Sequence, residues 1–427
     1  MNILLIGGGG REHALAHKIA SSPLCETLYI APGNAGTAMH GDNVILDIAD
    51  HQRVGEFVLK NGVDMVVVGP EEPLVKGLGD HFRRDQELRK VLFAGPGADG
   101  ARLEGSKAFA KSFMESNAIP TAKYRAFHAG DLQAGLDFLA GLKAPYVLKA
   151  DGLAAGKGVI ICDTLQEAET TLREMLCDKR FGDASETVVI EEYLQGWEMS
   201  VFVITDGISW HMLPAAKDYK RIGEGDTGAN TGGMGAVSPV PAADSHLMQR
   251  IEKQIVNPTI RGLQQAQIPY VGFIFFGLMV VDESPYVIEY NVRLGDPEAE
   301  VILPRIKTDL VDMLQAACRQ ELHTKELVII SEAAATVVLA SGGYPGPYQK
   351  GHEVFMSDTT TGCQRFYAGV KDKDGHLVTS GGRVMAVTGM AENLEKALKV
   401  AYQDVNNIDF KAKYFRRDIG EDLLSFI

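Results

Sequence analysis

Asn2-Ile3-Leu4-Leu5-Ile6-Gly7-Gly8-Gly9-Gly10-Arg11-Glu12-His13 is the stretch that decides the fold class. An apolar run stops at glycines and gives way to an amphipathic stretch over 12–21. A run of this length suits a strand buried on both faces, and the stretch behind it suits a crossover helix. The phrase recurs at 27–30 before Pro32-Gly33, at 64–68 before Gly69-Pro70, and at 91–93 before Gly95-Pro96-Gly97. A doubly wound parallel α/β domain over 1–104 follows, with its glycine loops facing one cleft beyond the carboxyl ends of the strands.

After Gly105 the pattern changes. A helix is expected over 106–117, then strands over 146–149 and 159–162 joined by a glycine-rich connection. Further strands are expected over 188–191, 199–204, 272–280 and 286–292, with a helical stretch over 245–265 kinked or broken at Pro258. From about residue 326, strands over 332–340 and 383–387 and a helix over 393–405 predict a small α+β domain reaching 427. A chain of 427 residues accommodates about three domains at roughly 150 residues each, here 1–104, 105–325 and 326–427.

Hydrophobic residues make up 45% and charged residues 23%, which fits a compact globular chain and excludes a disordered one. The formal charge of −14 has the wrong sign to gather phosphate backbones, so no nucleic-acid partner is expected. Five scattered cysteines, without a CxxC pair, read as reduced packing residues. The longest apolar run, 271–281, is too short to span a bilayer, and no basic region precedes the first glycines. The expectation is a cytoplasmic protein without a membrane partner.

The loop at 7–10 follows a strand and opens a helix, which makes it an anion site through its amides and the helix dipole. The second strand ends Tyr29-Ile30-Ala31-Pro32-Gly33, without the acid that a nicotinamide-binding unit places there, and no Lys-Ser/Thr pair completes a P-loop. Two readings stay open for the loop: a phosphate-bearing ligand, or tight packing of helix on strand. Gly69-Pro70-Glu71-Glu72-Pro73 offers two acids at a strand end, either for sugar hydroxyls or an amine, or as solvated turn residues.

Lys149-Ala150-Asp151-Gly152-Leu153-Ala154-Ala155-Gly156-Lys157-Gly158 joins two strands. It reads as a hairpin lid whose glycines let the backbone close over phosphates, while Lys149 supplies a point charge. A lysine that continues the apolar run Tyr146-Val147-Leu148 needs a partner. In Glu289-Tyr290-Asn291-Val292-Arg293 the period of two puts Glu289, Asn291 and Arg293 on one face. A carboxylate and an amide oxygen at that spacing suit magnesium, and Arg293 suits a carboxylate or phosphate. The competing reading, a solvent-facing strand surface, is weakened because Leu294-Gly295-Asp296-Pro297-Glu298 continues the polar cluster into a tight turn.

These stretches, with Pro32-Gly33-Asn34-Ala35-Gly36, Asp218-Tyr219-Lys220-Arg221 and Asn230-Thr231-Gly232-Gly233-Met234-Gly235, resemble the ATP-grasp superfamily and, within it, the glycinamide ribonucleotide synthetase (phosphoribosylamine–glycine ligase) family. The resemblance covers essentially the whole chain. It implies an N-terminal substrate-binding domain over 1–104, an ATP-grasp domain over 105–325 with a lid subdomain at about 121–193, and a C-terminal domain over 326–427.

It further implies that Lys107 and Lys149 contact the ATP phosphates under a lid carrying Gly152, Gly156, Lys157 and Gly158. Glu191, Glu192, Tyr193 and Leu194 would form the adenine hinge, largely through backbone groups, and Glu198 would take the ribose hydroxyls. Glu289 and Asn291 would hold Mg2+ or Mn2+. No acid lies in 273–280 to add a third ligand, and Asp282 is the nearest in sequence. Gly9, Gly10, Arg11 and Glu12 of the glycine loop, with Glu71, would face the ribose phosphate, Asn34 and Asp296 would also bind substrate, and Arg293, Asp218 and Lys220 would position glycine. Lys149 and Arg293 would carry the catalytic charge. The implied partners are ATP, glycine and 5-phosphoribosylamine, and the implied assembly is a monomer or weak homodimer. A bicarbonate-activating ATP-grasp carboxylase is the nearest alternative.

Overall fold

Five parallel strands form the first sheet of the computed structural model, which describes residues 1–153, 158–357 and 362–426. Their order across the sheet is Asp42–Asn43, Thr27–Pro32, Asn2–Gly7, Met65–Val68 and Leu92–Ala94. Chain order reverses on either side of Asn2–Gly7, so the loops after Gly7 and Val68 open at the switch point where such sheets bind ligands. The period of two is visible in the packing. Ile3, Leu5, Met65 and Val67 face one core with Leu15 and Ile19, while Leu4, Ile6, Val66 and Val68 face another with Val54, Val58 and Phe82. Both faces are therefore covered, as the apolar runs predict. Asp42–Asn43, an exposed polar pair at the sheet edge, carries no periodicity and escapes a sequence reading.

The lid is an antiparallel sheet in the order Tyr124–His128, Thr187–Glu192, Tyr146–Ala150, Val159–Cys162. The helices Leu132–Ala140 and Leu165–Leu176 pack with it through Phe127, Leu139, Leu148, Leu172 and Ile190, a core of its own. Because Leu148 faces that core, Lys149 points the other way, toward the body of the central domain.

The body is built on a second antiparallel sheet, Trp210–Met212, Trp197–Thr205, Gly272–Val281 and Ser284–Asn291. Helix Lys107–Ser116 begins where Ser106 accepts the Phe109 N–H at 3.1 Å, an ordinary N-cap. The expected helix over 245–265 runs as Ser245–Ile251, a π segment Glu252–Val256 and Asn257–Gln265. The wider π turn lies directly before Pro258 and accommodates the ring and its missing N–H without a break.

A third sheet runs Lys217–Asp218, Gly235–Ser238, Ala333–Ser341, Arg383–Ala391 and Gln364–Tyr367, with Lys413–Tyr414 also on Ala333–Ser341. Strands from both sides of residue 326 thus share one sheet, which fixes the segment carrying Asp218 and Lys220. Helix Leu394–Val405, capped by Asn393, packs on this sheet through Leu394, Ala397, Leu398 and Ala401. Among the described residues no helix is long and apolar enough to cross a membrane.

Candidate active site

The expected site residues gather on one face of the body sheet, beside the sheet that carries Lys149. Strand register fixes the floor of this cleft: Ser200 faces Gly277 and Gly277 faces Glu289, while the next row is Phe202, Phe275 and Asn291. A Cβ on Gly277 would stand 2.8 Å from Glu289 Cγ, so only glycine leaves room for the Glu289 stem. On the other side Ser200 donates to Ala216 O at 2.7 Å, which brings Asp218 and then Lys220 alongside Glu198.

Lys220 Nζ lies 2.7 Å from Glu198 Oε2 and 3.9 Å from Glu289 Oε1. Burial opposes its charge, but Glu198, Asp218 and Glu289 outweigh burial and hold the ammonium well above its ordinary value. Burial pushes the Glu289 carboxyl upward, yet Lys220, Lys149, Lys107 and Arg293 bring it below the usual range. With 44% of its side chain exposed, it remains open to the cleft. Asp218 goes the other way: burial, with Glu298, Glu198 and Glu289 nearby, lifts it to about 8 against the pull of Lys220. Glu298 is buried, accepts the Ser200 hydroxyl at 3.1 Å and is also lifted, chiefly by burial. Near pH 7 Glu289 is therefore ionised, while Asp218 is largely protonated.

Lys149 enters from the lid strand, with Nζ 3.0 Å from Glu191 Oε1 and donating to Ile288 O at 3.1 Å. Lys107 donates to Gly152 O at 3.1 Å, and burial lowers its pKa despite Glu289. Asp151 locks the root of the lid loop by accepting the Ala108 N–H at 2.7 Å and the Ser106 hydroxyl. Gly156 and Lys157 lie outside the described residues, whereas Gly158 accepts the Ala150 N–H at 2.8 Å. Glu192 accepts the Lys123 N–H at 2.9 Å, and Tyr193 is exposed on the connection from lid to body that also carries Leu194.

Arg293 bridges two domains. Its Nε donates to Glu71 Oε2 at 3.3 Å, its Nη2 to Glu104 Oε1 at 2.6 Å and its Nη1 to Leu294 O at 3.2 Å. Three of the five guanidinium N–H groups are so committed. Glu104, unnoticed in the sequence, also accepts the Val292 N–H at 2.8 Å, and burial raises its pKa despite Arg293. Burial likewise acts upward on Glu71, but Arg293 brings it below the usual range.

The glycine loop is closed by the protein's own carboxylates. Gly9 N–H donates to Glu12 Oε2 at 2.6 Å, and Arg11 N–H to Asp296 Oδ2 at 3.3 Å. The Arg11 side chain pairs with Glu12 at 2.7 Å, and Asp296 pairs with Arg383 at 3.0 Å. Gly10 lies against the buried Glu300, whose Oε1 would be 2.4 Å from a Cβ there. Asn34 ties loops together, donating to Gly8 O at 3.0 Å and Tyr367 O at 2.7 Å.

Among the described residues the Asn291 Nδ2 is buried without a hydrogen-bond partner beside the exposed Glu289 carboxylate. The Glu289 carboxylate and the Asn291 amide oxygen, two residues apart on one face of the strand, are hard oxygen donors that fit a divalent cation, whereas the amide nitrogen cannot coordinate one. Among the described residues no three His, Cys, Asp or Glu side chains gather as a metal cage. Asp282 is excluded as a companion ligand. It sits in the turn between Gly272–Val281 and Ser284–Asn291, seven residues and roughly 23 Å of extended chain from Glu289.

A Phosphoribosylglycinamide synthetase N-domain model matches residues 1–104, the ATP-grasp (A) domain model 105–299 and the C-domain model 334–422. A phosphoribosylamine–glycine ligase of Pasteurella multocida is 44% identical over 98% of this chain and 97% of its own. A solved phosphoribosylamine–glycine ligase of Thermotoga maritima superposes with a TM-score of 0.85 at 36% identity, covering 98% of this chain and 100% of that one. The biotin carboxylase domain of a Hydrogenobacter thermophilus 2-oxoglutarate carboxylase, solved with MgADP and bicarbonate, reaches 0.73 at 16% identity over 97% of this chain and 91% of that one, a likeness of fold.

Proposed function

The chain belongs to the phosphoribosylglycinamide synthetase family, ATP-dependent carbon–nitrogen ligases of purine biosynthesis, and on that premise we propose how its cleft joins glycine to 5-phosphoribosylamine. The observation that carries the reading is the open Glu289 carboxylate with Lys220 Nζ 3.9 Å away, held ionised by Lys220, Lys149 and Lys107. In this reading Lys107 and Lys149 take the ATP phosphates, residues 191–194 border adenine, and Glu198 takes the ribose hydroxyls. Glu289 and Asn291 hold Mg2+, or Mn2+, whose chemistry is to neutralise phosphate charge.

Glycine's carboxylate attacks the γ-phosphorus, giving glycyl phosphate and ADP. The amine of phosphoribosylamine then attacks the acyl carbon, and phosphate leaves with the carboxylate oxygen it gained. Neither step needs a protein nucleophile. The residues act by orientation and by cationic charge where negative charge develops. Asp218 and Lys220 border the glycine site, and Arg293, anchored on Glu71 and Glu104, faces the join between the first domain and the cleft. Gly9, Gly10, Arg11, Glu12, Asn34, Glu71 and Asp296 shape the side of the ribose phosphate. The setting is the cytoplasm, and the assembly a monomer or weak homodimer.

The test is isotopic. With glycine labelled by 18O in its carboxylate, one labelled oxygen per turnover appears in inorganic phosphate. Unlabelled phosphate with amide product would contradict the acyl phosphate.

A further inference from the structure

Lys111 lies on helix Lys107–Ser116, where Ala110, Phe113 and Met114 pack into the core, and it is 2% exposed. Its Nζ is 2.9 Å from Glu191 Oε2 and donates to Thr121 Oγ1 at 2.7 Å, while that hydroxyl donates to Val287 O at 2.6 Å. The other Glu191 oxygen is 3.0 Å from Lys149 Nζ. That contact is one of charge, since among the described residues Oε1 accepts no hydrogen bond. Among Lys149's three N–H groups one is given to Ile288 O.

Two ammoniums thus share the Glu191 carboxylate in a largely buried space, and this group of three carries one net positive charge. If Glu191 faced Lys149 alone, that pair would sum to zero and present little field to a phosphate. Burial lowers the Lys111 pKa to about 8, with Glu191 opposing the fall, so the side chain is largely charged at neutral pH. The network also joins lid to body: Glu191 and Lys149 belong to adjacent lid strands, whereas Lys111, Thr121 and the Val287 and Ile288 carbonyls lie outside that sheet.

We propose that Lys111 is a positioning residue: its ammonium neutralises Glu191, so that the charge of Lys149 stays uncancelled toward the phosphates of the nucleotide. This rests on reading Lys149 as a phosphate ligand, and the test separates the two.

Dissociation constants for MgADP are measured by calorimetry on the full chain, with thermal unfolding as the control for structure. Lys111→Met weakens MgADP binding about tenfold, the scale of a lost interaction with a charged group. Lys111→Arg retains it. The double variant Lys111→Met/Glu191→Gln, which removes both cancelling charges, recovers binding to within about threefold of wild type. If the double variant folds and binds as weakly as Lys111→Met, or if Lys111→Met binds like wild type, the proposal is overturned. Should Lys111→Met fail to fold, Lys111→Gln, which keeps a polar group toward Thr121 and removes only the charge, is measured in its place: it weakens MgADP binding about tenfold, and wild-type binding overturns the proposal. Lys149→Met tests the underlying reading, which falls if that variant binds MgADP unchanged.

Discussion

The loop at 7–10 and the cleft below the lid are both glycine-marked places at strand ends, and they differ in what fills them. In the loop, Glu12 accepts the Gly9 N–H, Asp296 accepts the Arg11 N–H, and Glu12 Oε1 would stand 2.1 Å from a Cβ on Gly69. The protein's own carboxylates occupy the space between the two loops. In the cleft, Glu289 is open, Lys220 and Lys149 meet carboxylates at its edge, and the Asn291 Nδ2 has no partner among the described residues. A glycine shows that the backbone can approach something closely. Whether that something is a ligand or a side chain from elsewhere in the same chain is settled only by the tertiary structure.

The contrast breaks most easily at Lys149. Lys149→Ala lowers kcat/KM for ADP release by about a thousandfold, the loss expected for a charge aimed at a developing anion, while thermal unfolding stays near wild type. Near-normal turnover would remove the cleft from the chemistry. Glu289→Gln lowers turnover by about a hundredfold, and the divalent cation concentration for half-maximal activity rises. A fall in turnover with no shift in cation dependence would move the metal elsewhere.

On the loop side the expected effect is on stability. Glu12→Gln leaves the buried Arg11 guanidinium without its 2.7 Å partner, which costs about 3 kcal/mol in chemical denaturation. A large loss of turnover at full stability would make the loop the more chemical of the two regions. Gly69→Ala forces the Glu12 carboxylate aside and costs about 1–3 kcal/mol. A neutral substitution would mean that the two loops have slack between them.

A further effect concerns pH where the first domain meets the third. His13 is buried, accepts the Tyr367 N–H through Nδ1 at 2.7 Å and is lowered to about 3, first by burial and then by His40 and His17. Its unfolded value is near 6.5. Between those values the unfolded chain binds the extra proton, so stability falls as pH drops from about 6.5 toward 3. Replacing His13 by Gln flattens that part of the profile relative to wild type. An unchanged slope would assign the acid sensitivity to other groups.

Local signals were the readable ones. Ser106 and Asn393 announce helix starts through their cap spacing, and the alternation in 289–293 sets Glu289 and Asn291 on one face. Lys111 was open to the reasoning applied to Lys149, since it too interrupts an apolar setting, but its partner Glu191 is 80 residues away. The Arg293–Glu104 and Arg383–Asp296 pairs join residues far apart in the chain, and no spacing rule connects them. The π turn before Pro258 depends on hydrogen bonds that shift by one residue, which leaves no trace in hydrophobic period.

The measurement that bears most directly on the central claim is ADP release by the purified chain with magnesium-ATP, glycine and phosphoribosylamine formed in place from ribose 5-phosphate and ammonia, each omitted in turn. Release that requires every component is the predicted result. ADP appearing with bicarbonate and without glycine would keep the fold and contradict the ligase.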